Sequence, residues 1–161
     1  MALPAGRAGT RATLDLMRRL VLRYKKSLPI RQLALSIIDR VRGRGHKNFP
    51  AQVRALHRFV QQNIQYVKDV NGVETLATPI KTLEYRQGDC DDQAVLLASL
   101  LESVGHATRF VAISMAPLGP FVHVYTETRL GRGWIPVETT EPWPAGKGPP
   151  KFADRMVVTN K

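Results

Sequence analysis

The stretch Tyr85-Arg-Gln-Gly-Asp-Cys-Asp-Asp-Gln-Ala-Val-Leu-Leu-Ala-Ser-Leu-Leu-Glu-Ser-Val-Gly105 decides the fold. From Asp89 to Val104 the apolar residues Ala94, Leu97, Ala98, Leu101 and Val104 keep helical spacing, and Gly105 stands where a left-handed C-terminal cap is expected. The spacing predicts a helix with Cys90 in its first turn, after a Gly-Asp loop. A thiol there lies near the positive end of the helix dipole, which favours the thiolate. Asp89, Asp91 and Asp92 oppose it unless their carboxylates cap the helix or pair with Arg. Their close spacing does not reproduce a calcium loop, and carboxylates in a first turn are expected as caps. No metal and no cofactor is expected.

Downstream the character changes. Thr108 to Ser114, Val122 to Leu130 and Trp134 to Thr139 are rich in β-branched and aromatic residues and alternate over short runs, as strands do. Gly131-Arg132-Gly133 reads as a hairpin turn between the last two. The tail from Glu141, with Pro142, Pro144, Gly146, Gly148, Pro149 and Pro150, reads as irregular. Helices first and strands second predict an α+β fold, with a small antiparallel sheet packed on the helix that carries Cys90.

Upstream, Thr13 can cap a helix with Leu14, Met17, Leu20, Val21 and Tyr24 on one face. A second starts at Pro29, with Ile30, Leu33, Ala34, Ile37, Ile38 and Val41 inward. Residues 42–47 read as a basic loop, and Asn48 and Pro50 open a third helix with Val53, Leu56, Val60, Ile64 and Val67 inward. Lys68 to Gln87 has no clear period and reads as an ordered loop leading to the cysteine.

The 161 residues suit one compact globule, with a basic helical segment at 1–47 and a core at 48–161. The net charge is +11, and residues 1–47 alone carry twelve basic and two acidic side chains, or +10. Such a segment suits nucleic acid or an acidic protein surface, or is simply a solvated face. No apolar run is long enough to span a membrane, and Met1 to Thr13 lacks the apolar region of a secretory signal. A single cysteine makes no intramolecular disulfide, so a reducing compartment, the cytoplasm, is expected.

A nucleophilic cysteine needs a base, and the base an orienting acceptor. Of the four histidines, only His123 sits in an alternating strand, Phe121-Val-His-Val-Tyr125. His46 falls in the basic loop, while His57 beside Arg58 and His106 after Gly105 read as surface residues. If the hairpin pairs its strands, Glu138 lies near His123 across the sheet. A thiol-imidazole-carboxylate relay is one reading of these residues. The other is a Cys90 that packs as a small apolar side chain.

Gly88 to Gly105, then Thr108-Arg-Phe-Val111, His123-Val-Tyr125 and Gly133-Trp-Ile-Pro-Val-Glu-Thr139, resemble the transglutaminase-like superfamily of cysteine enzymes, which share a papain-like core. The blocks come in the family's order and at its separations, over about Tyr66 to Thr140. Tyr66-Val67, Thr75 to Thr82 and Tyr85 to Asp92 look like short members encoded by tailed phages and prophages. The basic N-terminal helices lie outside the resemblance.

The resemblance implies Cys90 as nucleophile, His123 as base and Glu138 as third member, where the family usually has Asp. It implies an oxyanion site made by the Cys90 N–H and an upstream side chain, Tyr85 or Gln87. The reaction implied is acyl transfer from a protein or peptide amide through a thioester, ending in hydrolysis or in transamidation. A phage-encoded member would act in the host cytoplasm or the virion. The rival expectation is a non-catalytic phage head, neck or tail component that keeps the fold. Its basic arm would dock on DNA, an acidic surface or other structural proteins.

Overall fold

The computed structural model describes residues 6–41, 48–68 and 76–161. Helices α1 (Gly6–Tyr24), α2 (Leu28–Asp39) and α3 (Phe49–Asn63) are followed by the short strand β1 (Gln65–Tyr66), α4 (Pro79–Tyr85) and β2 (Gln87–Gly88). Then come α5 (Cys90–Ser103), β3 (Thr108–Ser114), β4 (Phe121–Leu130), β5 (Gly133–Val137) and β6 (Asp154–Thr159). The larger sheet is antiparallel, in the order β5-β4-β3-β6, while β1 and β2 pair in parallel. This is the α+β arrangement the sequence predicts.

The caps at Asn48 and Gly105 are those the sequence predicts, and Ser27 is a cap it does not single out. Ser27 and Asn48 accept from the N–H groups of Ile30 and Ala51, and Pro29 and Pro50 sit in first turns, where a missing N–H costs nothing. Gly105 closes α5 with φ at +94°. Gly131, with φ at +61°, lets the chain reverse between Leu130 and Gly133, which pair. Few L-residues adopt such a φ without strain.

α5 is the centre of the molecule. Its Leu96, Leu97, Leu100 and Leu101 pack with Ile30, Ile37, Val53, Leu56 and Val60 of α2 and α3. Its Ala94, Val95 and Ala98 pack with Leu14, Met17 and Val21 of α1 and with Phe110, Val124 and Val158 of the sheet. α5 is therefore buried nearly all round, which explains why apolar residues occupy more than one of its faces.

Four expectations are corrected. α1 begins at Gly6 and not at Thr13, whose hydroxyl donates to the Gly9 carbonyl within the helix. The stretch taken as loop contains α4, capped by Thr78 with Pro79 in its first turn, and β2. It is too short to show a period, and its residues 69–75 lie outside the described residues, as does the 42–47 loop with His46. The tail is not irregular throughout. β6 pairs with β3, burying Val158 and Met156 on the α1 side, although Pro and Gly residues precede it. α3 ends at Asn63 with Ile64 as its cap, so Val67 follows β1 and is not on the helix stripe.

A further correction concerns His57 and His106, expected on the surface and both buried. His106 Nε2 donates to Gln52 Oε1 at 2.9 Å and its ring meets Phe49 edge-on. His57 sits four residues after Val53 and three before Val60, on the same buried stripe of α3. Arg58 beside it is exposed, and that neighbour suggested the wrong face.

No helix among the described residues is long and apolar enough to cross a membrane. Burial lowers both histidines from their ordinary value of 6.5. The unfolded chain therefore takes up protons first, so their stabilisation is whole above that value and is lost as pH falls through it towards the folded values. Urea midpoints are expected to drop between about pH 7.5 and 5.5, and to drop less in a His57→Gln, His106→Gln protein.

Candidate active site

The site starts with the cap of α5. Asp89 Oδ1 accepts from the Asp92 N–H at 3.0 Å, and Asp92 Oδ2 accepts from the Asp89 N–H at 3.2 Å, a reciprocal capping box. Asp92 Oδ1 also accepts from the Ala77 N–H at 2.8 Å, tying the segment before α4 to the helix. Two of the three clustered aspartates are thus caps, as the sequence suggests. Among the described residues no three His, Cys, Asp or Glu side chains gather as metal ligands.

Gly88 is required for that box. A Cβ there would lie 2.7 Å from Asp92 Cβ, a carbon that cannot swing away. β1 holds the same stretch through Gln65 N–H to Arg86 O at 2.9 Å and Val67 N–H to Gly88 O at 3.1 Å. Arg86 itself adopts a left-handed φ of 54°, so the backbone turns sharply before the cysteine.

Cys90 follows in the first turn, partly buried. Its Sγ–H donates to Asp91 Oδ1 at 3.6 Å, and its sulfur accepts from the Val124 N–H on β4. Burial pushes the thiol well above its ordinary range, Asp91 adds to that, and the Val124 N–H opposes it. No hydrogen bond joins Sγ to His123.

His123 lies one residue from Val124, at the start of β4. Ile113 pairs with His123 but Ser114 pairs with Phe121, so Val122 is the extra residue of a β-bulge. Past the bulge Val124 and Thr126 face α5, where the Thr126 hydroxyl donates to Ala94 O at 3.0 Å. His123 and Tyr125 share the other face, their rings stacked at 6.1 Å.

Glu138 stands just beyond β5 and is 1% exposed. Its Oε2 accepts from His123 Nε2, and its Oε1 accepts from the Thr140 N–H at 3.1 Å and hydroxyl at 3.0 Å. Burial acts to raise this carboxyl, but the His123 bond and charge and the two Thr140 bonds outweigh it and hold it low. With Nε2 donating to the carboxylate, the free lone pair of a neutral His123 ring is on Nδ1.

The expected residues therefore fall into two contacts and one separation. His123 and Glu138 touch, and Cys90 touches the backbone next to His123. Tyr85 and Gln87 are both exposed, Tyr85 at 68%, and line a recess of about 330 Å³ with Asp92, Lys81 and Thr78. A cleft of about 630 Å³ opens instead on His123 and Glu138, walled by Tyr66, Met115, Val122 and Trp143.

Sequence reasoning missed three partners of the acid segment. Thr140 holds the carboxylate, His57 Nε2 donates to the Glu138 carbonyl, and Gln61 Nε2 donates to the carbonyls of Glu141 and Trp143, each at 2.7 Å. The stripe position of His57 signals burial. Nothing local signals Gln61, whose acceptors lie some 80 residues away.

Residues 36–139, about two thirds of the chain, match the Transglutaminase-like superfamily. The chain belongs to this superfamily. The match reaches upstream of Tyr66 to take in the end of α2 and all of α3. Among curated proteins none matches. Two solved structures share the fold. One, from Cytophaga hutchinsonii and provisionally named a cysteine protease, is 23% identical with a TM-score of 0.56, over 73% of this chain and 39% of that one. The other, from Parabacteroides distasonis and provisionally named a protease, is 13% identical with a TM-score of 0.63, over 91% and 29%. The superfamily chain described here thus spans well under half the length of either.

Gly88→Ala is expected to lower unfolding free energy by about 1–3 kcal/mol, read from urea titrations, because the added methyl forces Asp92 out of the box. Asp91→Asn removes the nearest negative charge and leaves the thiol only a neutral, weaker acceptor. Iodoacetamide should then alkylate Cys90 about threefold faster or more at neutral pH.

Proposed function

We propose that the protein is a cysteine hydrolase that cleaves an amide or peptide bond through a thioester on Cys90. The observation that supports this most is the buried, doubly anchored Glu138 carboxylate bonded to His123, one residue from the backbone N–H that contacts Sγ. A carboxylate held in that way orients an imidazole and stabilises its protonated form.

In the proposed cycle His123 Nδ1 takes the Sγ proton as sulfur attacks the carbonyl carbon. The Cys90 N–H, at the N-terminal end of α5, donates to the developing oxyanion. Collapse of the tetrahedral adduct breaks the C–N bond, and the imidazolium gives its proton to the leaving amine. Water then attacks the thioester, His123 takes its proton, and the acid leaves as the thiol is restored. An amine in place of water gives transamidation. Tyr85 or Gln87 remains the proposed side-chain donor to the oxyanion. The elevated thiol fits a mechanism in which the proton moves during attack, not one that starts from a resting thiolate.

A second reading has its own observations. The thiol is buried, flanked by Asp91 and without a hydrogen bond to the imidazole, as in a non-catalytic member of the superfamily. In that reading the basic N-terminal segment docks on an anionic surface. Part of its charge is already used inside the fold, by Arg7 with Asp154, Arg11 with Asp15 and Lys25 with Glu102. A phage or virion role rests on the resemblance of residues 66–92 alone.

The deciding experiment follows Cys90 alkylation by iodoacetamide from about pH 5 to 9 in wild type, His123→Ala and Glu138→Ala, alongside mass spectrometry for an acyl-enzyme with peptide amides. His123→Ala is expected to lose about 10²–10⁴-fold in acyl transfer and to slow alkylation. Equal, slow alkylation in all three proteins with no acyl-enzyme would leave the non-catalytic reading standing.

A further inference from the structure

Past Val137, the last paired residue of β5, the chain leaves the sheet, yet residues 138–143 supply both the acid and a wall of the cleft. Three of its carbonyls are bound by side chains one turn apart on α3: Glu138 by His57, and Glu141 and Trp143 by Gln61. We propose that His57, with Gln61 extending its grip, is the positioning residue that sets where the Glu138 carboxylate meets His123. The assignment rests on the reading of His123 and Glu138 given above.

His57 is 2% exposed on a stripe that, Gln52 apart, holds aliphatic residues. An aliphatic side chain would fill the place without the cost of burying a ring nitrogen. What the imidazole adds is an Nε2–H aimed at the carbonyl of residue 138, since a carbonyl can only accept. Glu138 is anchored at its backbone by α3 and at its head by Thr140 and His123, leaving its side chain little room to turn. A shift of about 1 Å in a group that orients a base can cost about 10²-fold in rate. α3 thereby connects the helical layer to the acid at the open end of the sheet.

Glutamine places its Nε2 the same number of bonds from Cα as histidine does, whereas asparagine falls one short. The test compares His57→Gln with His57→Asn in the full chain. One readout is the downfield proton resonance of the His123 ring N–H bonded to Glu138. The other is Cys90 alkylation. In wild type and His57→Gln the resonance should persist and alkylation should agree within about threefold, whereas His57→Asn should lose the resonance and react about tenfold slower. In a Glu138→Ala background the same Asn change should alter alkylation less than about twofold, because its effect passes through Glu138. Should His57→Asn unfold, His57→Met fills the ring's space without a donor and takes its place. A resonance that survives in His57→Asn, or in His57→Met where that replaces it, a Gln variant no better than Asn, or an undiminished effect without Glu138 each overturns the assignment. If His123→Ala alkylates like wild type, the catalytic reading fails separately, and the resonance alone decides the role of His57.

Discussion

The reciprocal bonding of Asp89 and Asp92 at the start of α5 is the constraint on which the rest depends. It satisfies two of the N–H groups that a helix leaves unpaired at its start. Because Asp92 also takes the Ala77 N–H, the same carboxylate fixes the approach to α4, and through Gly88 it dictates that no side chain stands before the box. Cys90 is then placed by the most buried helix of the molecule. A loop-borne thiol would have no comparable reference to β4.

Around that thiol two electrostatic influences meet. The N-terminal end of α5 favours negative charge, but two aspartates there are already engaged as caps and Asp91 faces the sulfur. Burial adds to Asp91, and the thiol stays protonated. The carboxyl of Glu138 is buried more deeply than the thiol and yet is held ionised, because His123 and Thr140 supply three hydrogen bonds to its two oxygens. Number of donors, not depth, separates the two groups.

Glu138 also shows how one long side chain divides its two oxygens between separate partners. One oxygen turns back to Thr140, two residues on, while the other reaches the imidazole. The backbone of this segment is tied to α3 and not to the sheet. The geometry of the acid therefore depends on the helix-to-helix packing of α3, α5 and α2 as much as on the strands.

The sequence by itself determined what depends on near neighbours. The helix of Cys90 is written in spacing, its start in Asp89 and Asp92, its end in Gly105, and the β4–β5 hairpin in Gly131. Those signals act over a few residues through backbone hydrogen bonds and allowed φ, so a local reading suffices. Only the tertiary structure decided that His57 and His106 are interior and that β6 joins β3. It alone revealed that Gln61 grips carbonyls far along the chain, and that Tyr85 and Gln87 face a recess other than the cleft. Each of these turns on which distant backbone groups arrive at a given face, and that is set by packing, which no short-range pattern records.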